Sequence, residues 1–88
     1  MPTSAADLTD QVKALGVRFA SNTLYISLSD GRELSAPIDR IEWLRWLLNA
    51  TPEQRAKWSL EPGGFAIYWG ELDDGIEVCR LLDMQSLV

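Results

Sequence analysis

The spacing of apolar residues along the chain changes from a helical to a strand period near residue 16. Leu8, Val12 and Leu15 recur at i, i+4 and i+7, behind an N-cap serine, and Gly16 follows them. This pattern, with a cap before it and a glycine after it, predicts an amphipathic helix over residues 5–15. A helix this short is marginal alone, so we expect it to pack on another part of the protein.

From Val17 onward, apolar residues alternate with polar ones, which predicts β-strands. Asp30-Gly31 is a strong hairpin signal between two of them. A three-residue loop over 29–31 with a glycine bulge would place Ile26 opposite Leu34 and Leu24 opposite Ala36. This register keeps the apolar face continuous, and Pro37 would close the strand. The alternating residues of the first two strands are Val17, Phe19, Leu24, Ile26 and Leu28.

Two helices are predicted after this unit, over residues 38–49 and from Thr51. On the first, one arc of apolar residues should face the sheet. The second begins with Thr51 as its cap and Pro52 at its first position. The apolar arc consists of Ile41, Leu44, Leu47 and Leu48.

The last third of the chain predicts a second hairpin around Gly63-Gly64. A two-residue loop there would pair Leu60 with Ile67 and Trp58 with Trp69 on one face. We expect a short strand at Ile76 and Val78, then a helical turn or two from Arg80 to Met84. The fold class is therefore α+β, in one domain over residues 1–88. A small antiparallel sheet, built of a three-stranded unit plus a hairpin, would carry the 38–49 helix, with the 5–15 helix as an addition to a 17–84 core.

Composition narrows the possible partners and the compartment. The net charge is −5 and the eight basic residues are scattered, so direct nucleic-acid binding is not expected and a basic partner is favoured. A membrane span needs about 20 apolar residues, and no apolar run approaches that length. No secretion signal is seen. Cys79 is the single cysteine, which fits a reducing, cytoplasmic location.

The chain has no histidine, which removes the most common general base and metal ligand. It also has no phosphate-binding glycine loop. We therefore predict that it is not an enzyme and uses no cofactor. Cys79 is interpreted as a half-buried structural residue; the alternative is a thiolate activated by Arg80 or by a helix N-terminus.

An acidic stretch near the end of the chain allows three interpretations. It can be a solvated loop, a patch for a basic partner, or an oxygen-ligand metal site, although its spacing does not match a calcium loop. Its carboxylates are Glu71, Asp73, Asp74 and Glu77.

The tryptophans are the other candidate contact residues. Trp43 lies at the edge of the apolar arc of the 38–49 helix, whereas Trp46 lies on the side shared by Asp39 and Glu42. Trp46 would be covered by the chain's own N-terminal helix, covered by another chain, or left exposed. Trp58 and Trp69 are interpreted as core, with a ligand-stacking pocket that includes Tyr68 as the alternative.

Several segments from Leu28 to Leu82 together resemble a bacterial domain-of-unknown-function family, DUF2442. The most specific is Asn49-Ala50-Thr51-Pro52-Glu53-Gln54-Arg55-Ala56; Ile67-Tyr68-Trp69 and Leu72-Asp73-Asp74 also match. Gly75 departs from it, because the family usually has an acidic residue there. The resemblance implies a compact α+β domain without an assigned activity. It also implies an antitoxin-like role, since some members are thought to lie beside a second small family in toxin–antitoxin-like arrangements.

Together these patterns predict a non-catalytic protein-interaction domain that binds a small basic protein or self-associates. The predicted contact residues are Trp43, Trp46, Glu71, Asp73, Asp74 and Glu77. The alternative is a small-ligand-binding or regulatory domain with an aromatic pocket of Trp58, Tyr68 and Trp69.

Overall fold

A computed structural model describes residues 12–86 of the chain, which form two antiparallel three-stranded sheets and three short helices. The first sheet has the order β1-β2-β3 and consists of β1 (Ala14–Ala20), β2 (Thr23–Leu28) and β3 (Glu33–Pro37). The second has the order β4-β5-β6 and consists of β4 (Trp58–Leu60), β5 (Ala66–Trp69) and β6 (Asp74–Glu77). The helices are α1 (Arg45–Leu48), α2 (Pro52–Arg55) and α3 (Val78–Ser86). The α+β class is confirmed, but the predicted single sheet is wrong, because the strands of residues 12–86 are hydrogen-bonded into two separate sheets. None of the helices in this part of the chain has the apolar length that a bilayer crossing needs.

The β2–β3 hairpin has the predicted register. Leu24 lies opposite Ala36 and Ile26 lies opposite Leu34. The loop has three residues and ends at Gly31, whose φ of +93° is a conformation that glycine adopts without strain. The apolar pattern and the turn residues agree here, so the register follows from local sequence.

The predicted helix over residues 5–15 is wrong at its C-terminal end, and residues 5–11 lie outside the described part of the chain. Ala14 already pairs with Leu28 in the first sheet, and a β-bulge separates it from Gly16. Leu15 is the extra residue of the bulge and is 61% exposed. Because the bulge changes the alternation, Ala14 and Val17 can both contact the core.

The β4–β5 hairpin pairs Trp58 with Trp69 and Leu60 with Ile67, as predicted. The loop is longer than the predicted two residues, because the Glu61 N–H donates to the Ala66 oxygen at 2.9 Å and a 3₁₀ turn over Pro62–Gly64 follows. Proline lacks the N–H that another rung of the ladder would need, which ends the pairing one residue earlier.

The predicted short strand at Ile76 forms as β6 and pairs with β5, so the second unit is a three-stranded sheet and not a hairpin alone. Val78, which the sequence predicts in the same strand, begins α3 instead. The predicted final helical turns from Arg80 to Met84 lie within α3.

The predicted helix over residues 38–49 is wrong as a continuous element. Residues 38–40 form a turn after β3, in which Ile38 donates its N–H to the Asn22 oxygen at 2.9 Å. A 3₁₀ turn over Glu42–Leu44 and the single turn of α1 follow, with a break at Leu44. Hydrogen bonding to the first sheet therefore prevents a helix from starting at residue 38, despite the helical spacing of the apolar residues. The apolar arc still faces the core, since Leu44 and Leu47 are fully buried.

The N-terminus of α2 is formed as predicted, with Thr51 as its cap and Pro52 in its first turn. The Thr51 hydroxyl accepts from the Gln54 N–H at 3.1 Å, and the Gln54 side chain accepts from the Thr51 N–H at 3.0 Å. This capping box fixes the position of Arg55 at the end of α2.

One buried cluster joins both sheets with α1 and α3. The first sheet contributes residues such as Leu24 and Ile26, and the second contributes Ile67, Trp69 and Ile76. Trp69 is the largest fully buried side chain of the described residues. The outer face of the second sheet is thereby left for polar residues.

Candidate functional site

Strand alternation separates a buried and an exposed face of the second sheet. In β5, Ile67 and Trp69 point into the core, so Tyr68 points to the opposite face. Tyr68 lies opposite Ser59 on one side and opposite Gly75 on the other. This row forms the centre of the outer face.

The Tyr68 ring lies beside a strand position that has no side chain. A Cβ atom built on Gly75 would lie 2.7 Å from the Ile67 oxygen and 3.3 Å from Cδ1 of Tyr68. The Tyr68 hydroxyl donates to Oδ1 of Asp73 at 2.7 Å. Asp73 has a left-handed backbone conformation, with φ of +52°, at the point where a 3₁₀ turn ends and β6 begins.

Three carboxylates act on the Tyr68 hydroxyl. The hydrogen bond to Asp73 is the main cause that raises its pKa above the usual tyrosine value, and partial desolvation is the second. The charges of Asp73, Glu61 and Asp74 raise the pKa further. A raised tyrosine pKa is the response expected where negative charge gathers around a phenol.

We call the set Glu61, Tyr68, Asp73, Asp74 and Glu77 the acidic face. Glu77 belongs to it because it pairs with Ala66, the outward neighbour of Tyr68 in β5. Glu61 was not singled out from the sequence, although the predicted hairpin register already determines its position. That register places it opposite Ala66, in the same row as Glu77.

The remaining predicted carboxylate, Glu71, is held apart from these residues. Its Oε2 lies 2.7 Å from Nζ of Lys57, on an exposed salt bridge. By contrast, the four carboxylates of the acidic face form no salt bridge in the described part of the chain. Their charge is therefore available to a partner.

Trp46 lies on the other side of the second sheet. Its ring packs edge-on against Trp69, with 5.5 Å between centroids, and Trp69 points away from Tyr68. The Trp46 indole N–H donates to the Trp43 oxygen at 3.0 Å. Trp46 is thus half-buried, and Trp69 covers part of it from within the chain.

Trp43 is also half-buried, and the guanidinium carbon of Arg80 lies 3.9 Å from its ring centroid. Trp43 and Trp46 therefore stay close to each other but do not join the acidic face. The acidic stretch and the tryptophan pair are therefore described as two separate surfaces.

The interpretation of Cys79 as half-buried is wrong, because the residue is exposed in the first turn of α3. The guanidinium of Arg80, which the alternative interpretation of Cys79 requires as the activating cation, stacks on the Trp43 ring. Among residues 12–86, no three histidine, cysteine or carboxylate side chains are grouped closely enough to hold a metal ion.

The predicted aromatic pocket is not assembled, since Tyr68 and Trp69 lie on opposite faces of β5. The Trp69 indole N–H donates to the Arg55 oxygen at 3.0 Å, so its polar atom is satisfied in the core. Trp58 lines a different cavity, which Phe19 and Arg55 share.

Comparison with known proteins supports the fold but gives no activity. A family model described as "Protein of unknown function (DUF2442)" matches residues 14–83. The crystal structure of a protein of unknown function from Rhodospirillum rubrum ATCC 11170 is similar, with a TM-score of 0.69, 19% identity and coverage of 83% of this chain and 87% of that one. The solution NMR structure of an uncharacterized protein from Chromobacterium violaceum has a TM-score of 0.66 and 25% identity, over 81% of this chain and 64% of that one. No curated protein matches the chain.

Proposed function

The chain belongs to the DUF2442 family, and from that premise we propose that it is a non-catalytic domain that binds a small basic protein through the acidic face. The observation that supports this most directly is the hydrogen bond from the Tyr68 hydroxyl to Asp73 at 2.7 Å, and the charges of Glu61 and Asp74 also raise the Tyr68 pKa. A sheet face with a tyrosine at its centre and carboxylates around it suits a cationic partner. Tyrosine supplies contact area, and the charges steer the encounter.

The charge of the whole chain supports the same kind of partner. The net charge is −5, which favours the approach of a cationic partner, and the acidic face then fixes where it docks. The Lys57–Glu71 salt bridge is exposed and contributes little to the binding energy, because exposed salt bridges are weak.

The resemblance to antitoxin-like proteins extends the proposal. It implies that the basic partner is encoded beside this protein, as the second member of a small pair. Trp43 and Trp46 would then serve a separate contact, either with a second copy of the chain or with another part of the same partner. A non-catalytic role fits a chain that has no histidine.

Co-expression with the small basic proteins encoded next to this one tests the proposal. The double variant Asp73→Asn, Asp74→Asn should weaken co-purification and raise the dissociation constant by about tenfold or more, because it removes charge but keeps hydrogen-bonding capacity. The matched control is Asp39→Asn, Glu53→Gln, which removes the same charge from exposed positions elsewhere. It should leave binding within about twofold.

Two results would overturn the proposal. One is that the neighbouring basic proteins do not bind the wild-type chain in isothermal titration at low salt. The other is that the two double variants lose affinity equally, which would assign the effect to net charge and not to the acidic face.

A further inference from the structure

An open cavity of about 480 Å³ lies between β1 on one side and α2 and β4 on the other. Its volume is within the range of small-molecule sites in proteins, about 300–1,000 Å³. Val17, Phe19, Ala56 and Trp58 give it mostly apolar walls, and Arg55 provides a cation. None of the residues that line it, within the described part of the chain, is acidic.

The guanidinium of Arg55 is fixed by three backbone carbonyls. Its Nε donates to the Leu47 oxygen at 2.9 Å, its Nη2 to the Leu48 oxygen at 3.2 Å and its Nη1 to the Ser21 oxygen at 3.2 Å. The group also lies over the Phe19 ring, 5.4 Å from its centroid. A guanidinium that is already oriented loses little entropy when an anion binds.

The charge of Arg55 is not matched by a carboxylate. In residues 12–86 it forms no salt bridge, whereas the other arginine of the cavity, Arg18, is paired with Glu33 at 3.4 Å. Each terminal nitrogen of Arg55 makes one of the hydrogen bonds above and carries a second N–H. Two donors therefore remain for a ligand.

A purely structural role for Arg55 explains its bonds to the α1 carbonyls. It does not explain an open cavity with aromatic walls beside an unmatched cation, because capping carbonyls requires neither. Phe19 is held edge-on against Trp69 at 6.4 Å, and Trp58 lies across the sheet from Trp69. Both walls are therefore supported by the core, as a preformed binding site requires.

We propose that this cavity binds a small organic carboxylate with a flat apolar body. The carboxylate would accept from the two remaining Arg55 N–H groups, and the apolar ring would pack against Phe19 and Trp58. The chemistry requires both parts of the ligand, since Arg55 selects the anion and the aromatic walls select the ring. The site is independent of the acidic face, so each proposal can fail alone.

Two-dimensional ¹H–¹⁵N NMR titration of the full chain tests the proposal with three probes. Indole-3-acetate should give saturable shifts confined to β1, α2 and the Trp58 indole. Indole-3-acetamide, which keeps the ring but lacks the charge, should bind about tenfold more weakly or worse. Acetate, which lacks the ring, should give no saturable shift in the same concentration range.

Two pairs of variants locate the site. Ala56→Leu should block the cavity and abolish the shifts, because Ala56 is an exposed residue on its wall. Ala20→Leu makes the same change at an exposed position outside the lining and should bind like wild type. Arg55→Gln should lose binding about tenfold, with Arg40→Gln as its matched control. If Arg55→Gln does not fold, the Ala56 pair and the three probes still decide the question.

The proposal is overturned if indole-3-acetate gives no saturable shift at millimolar concentrations. It is also overturned if the acetamide binds as tightly as the acetate, or if Ala56→Leu binds like Ala20→Leu. Shifts that centre on Tyr68 would likewise contradict it, because they would place the ligand on the opposite side of the second sheet.

Discussion

Replacing Trp69 with phenylalanine should cost a large share of the stability of this protein. The indole is fully buried, and its N–H donates to the Arg55 oxygen at 3.0 Å. Its ring also contacts Phe19 and Trp46 edge-on, with centroid distances of 6.4 Å and 5.5 Å. Trp69→Phe removes the donor and part of the ring but keeps an aromatic side chain in the core.

Two contributions set the magnitude. The smaller ring loses roughly two buried CH₂ equivalents, about 1.6 kcal/mol at about 0.8 kcal/mol each. The Arg55 carbonyl loses its donor, which adds about 1–2 kcal/mol. The sum is about 3 kcal/mol, against a total free energy of unfolding of about 4–13 kcal/mol for 88 residues. The midpoint of thermal unfolding should fall by about 12–24 °C.

Urea unfolding followed by circular dichroism measures this loss without depending on tryptophan emission. The matched control is Trp58→Phe, on the neighbouring strand, because Trp58 is only half-buried and has no described indole hydrogen bond. The control should lose less than about 1 kcal/mol. Equal losses for the two variants, or a loss below about 1 kcal/mol for Trp69→Phe, would refute the assignment of Trp69 as the centre of the core.

Two further predictions concern a turn and a titration. Gly64 has φ of +74°, and a Cβ there would lie 3.0 Å from a backbone oxygen of β1. Gly64→Ala should therefore lower the free energy of unfolding, measured in urea, by about 1–3 kcal/mol. The control Gly16→Ala has open space at its Cβ and should cost nothing measurable. For the acidic face, the raised pKa of Tyr68 means that the folded state favours the protonated phenol. The stabilisation is complete below the ordinary tyrosine pKa and is lost as pH rises through the folded value. Asp73→Asn should move the pKa of Tyr68 down in an alkaline NMR titration, and an unchanged pKa would contradict the hydrogen bond as its main cause.

Strand register was predictable because it depends on neighbours in sequence. The pairing of Ile26 with Leu34 follows from a period of two and a glycine that tolerates positive φ. The pairing of Trp58 with Trp69 follows in the same way, and it was correct although the loop length was not. A change in loop length that preserves the register leaves every side chain on its face.

The predicted helix over residues 38–49 does not form as one element, although its apolar spacing is correct, because its backbone makes other hydrogen bonds. Apolar residues at helical spacing do face the core. However, the Ile38 N–H bonds to the Asn22 oxygen, which continues the β2–β3 pairing one residue beyond β3 and competes with a helix start at residue 38. The β-bulge at Leu15 is a similar case, since pairing with β2 overrode a helical spacing that ran into residue 15.

The acidic face was predictable in part. Asp73 and Asp74 were identified from their clustering, and Glu77 from the same stretch. Glu61 lies far from them in sequence and joins them through the β4–β5 hairpin. The position of Trp46 could not be predicted from the sequence, because it depends on where α1 meets Trp69.

The alternation of β5 determines how the two candidate sites relate. Trp69 faces the core and supports Phe19 and the backbone of Arg55, so it supports the cavity for a carboxylate. Tyr68, the next residue back, faces outward and carries the acidic face. A one-residue slip of this strand would exchange the two side chains and destroy both sites together. With the register intact, a carboxylate and a basic protein would meet opposite sides of the same sheet. We therefore expect each to bind without blocking the other.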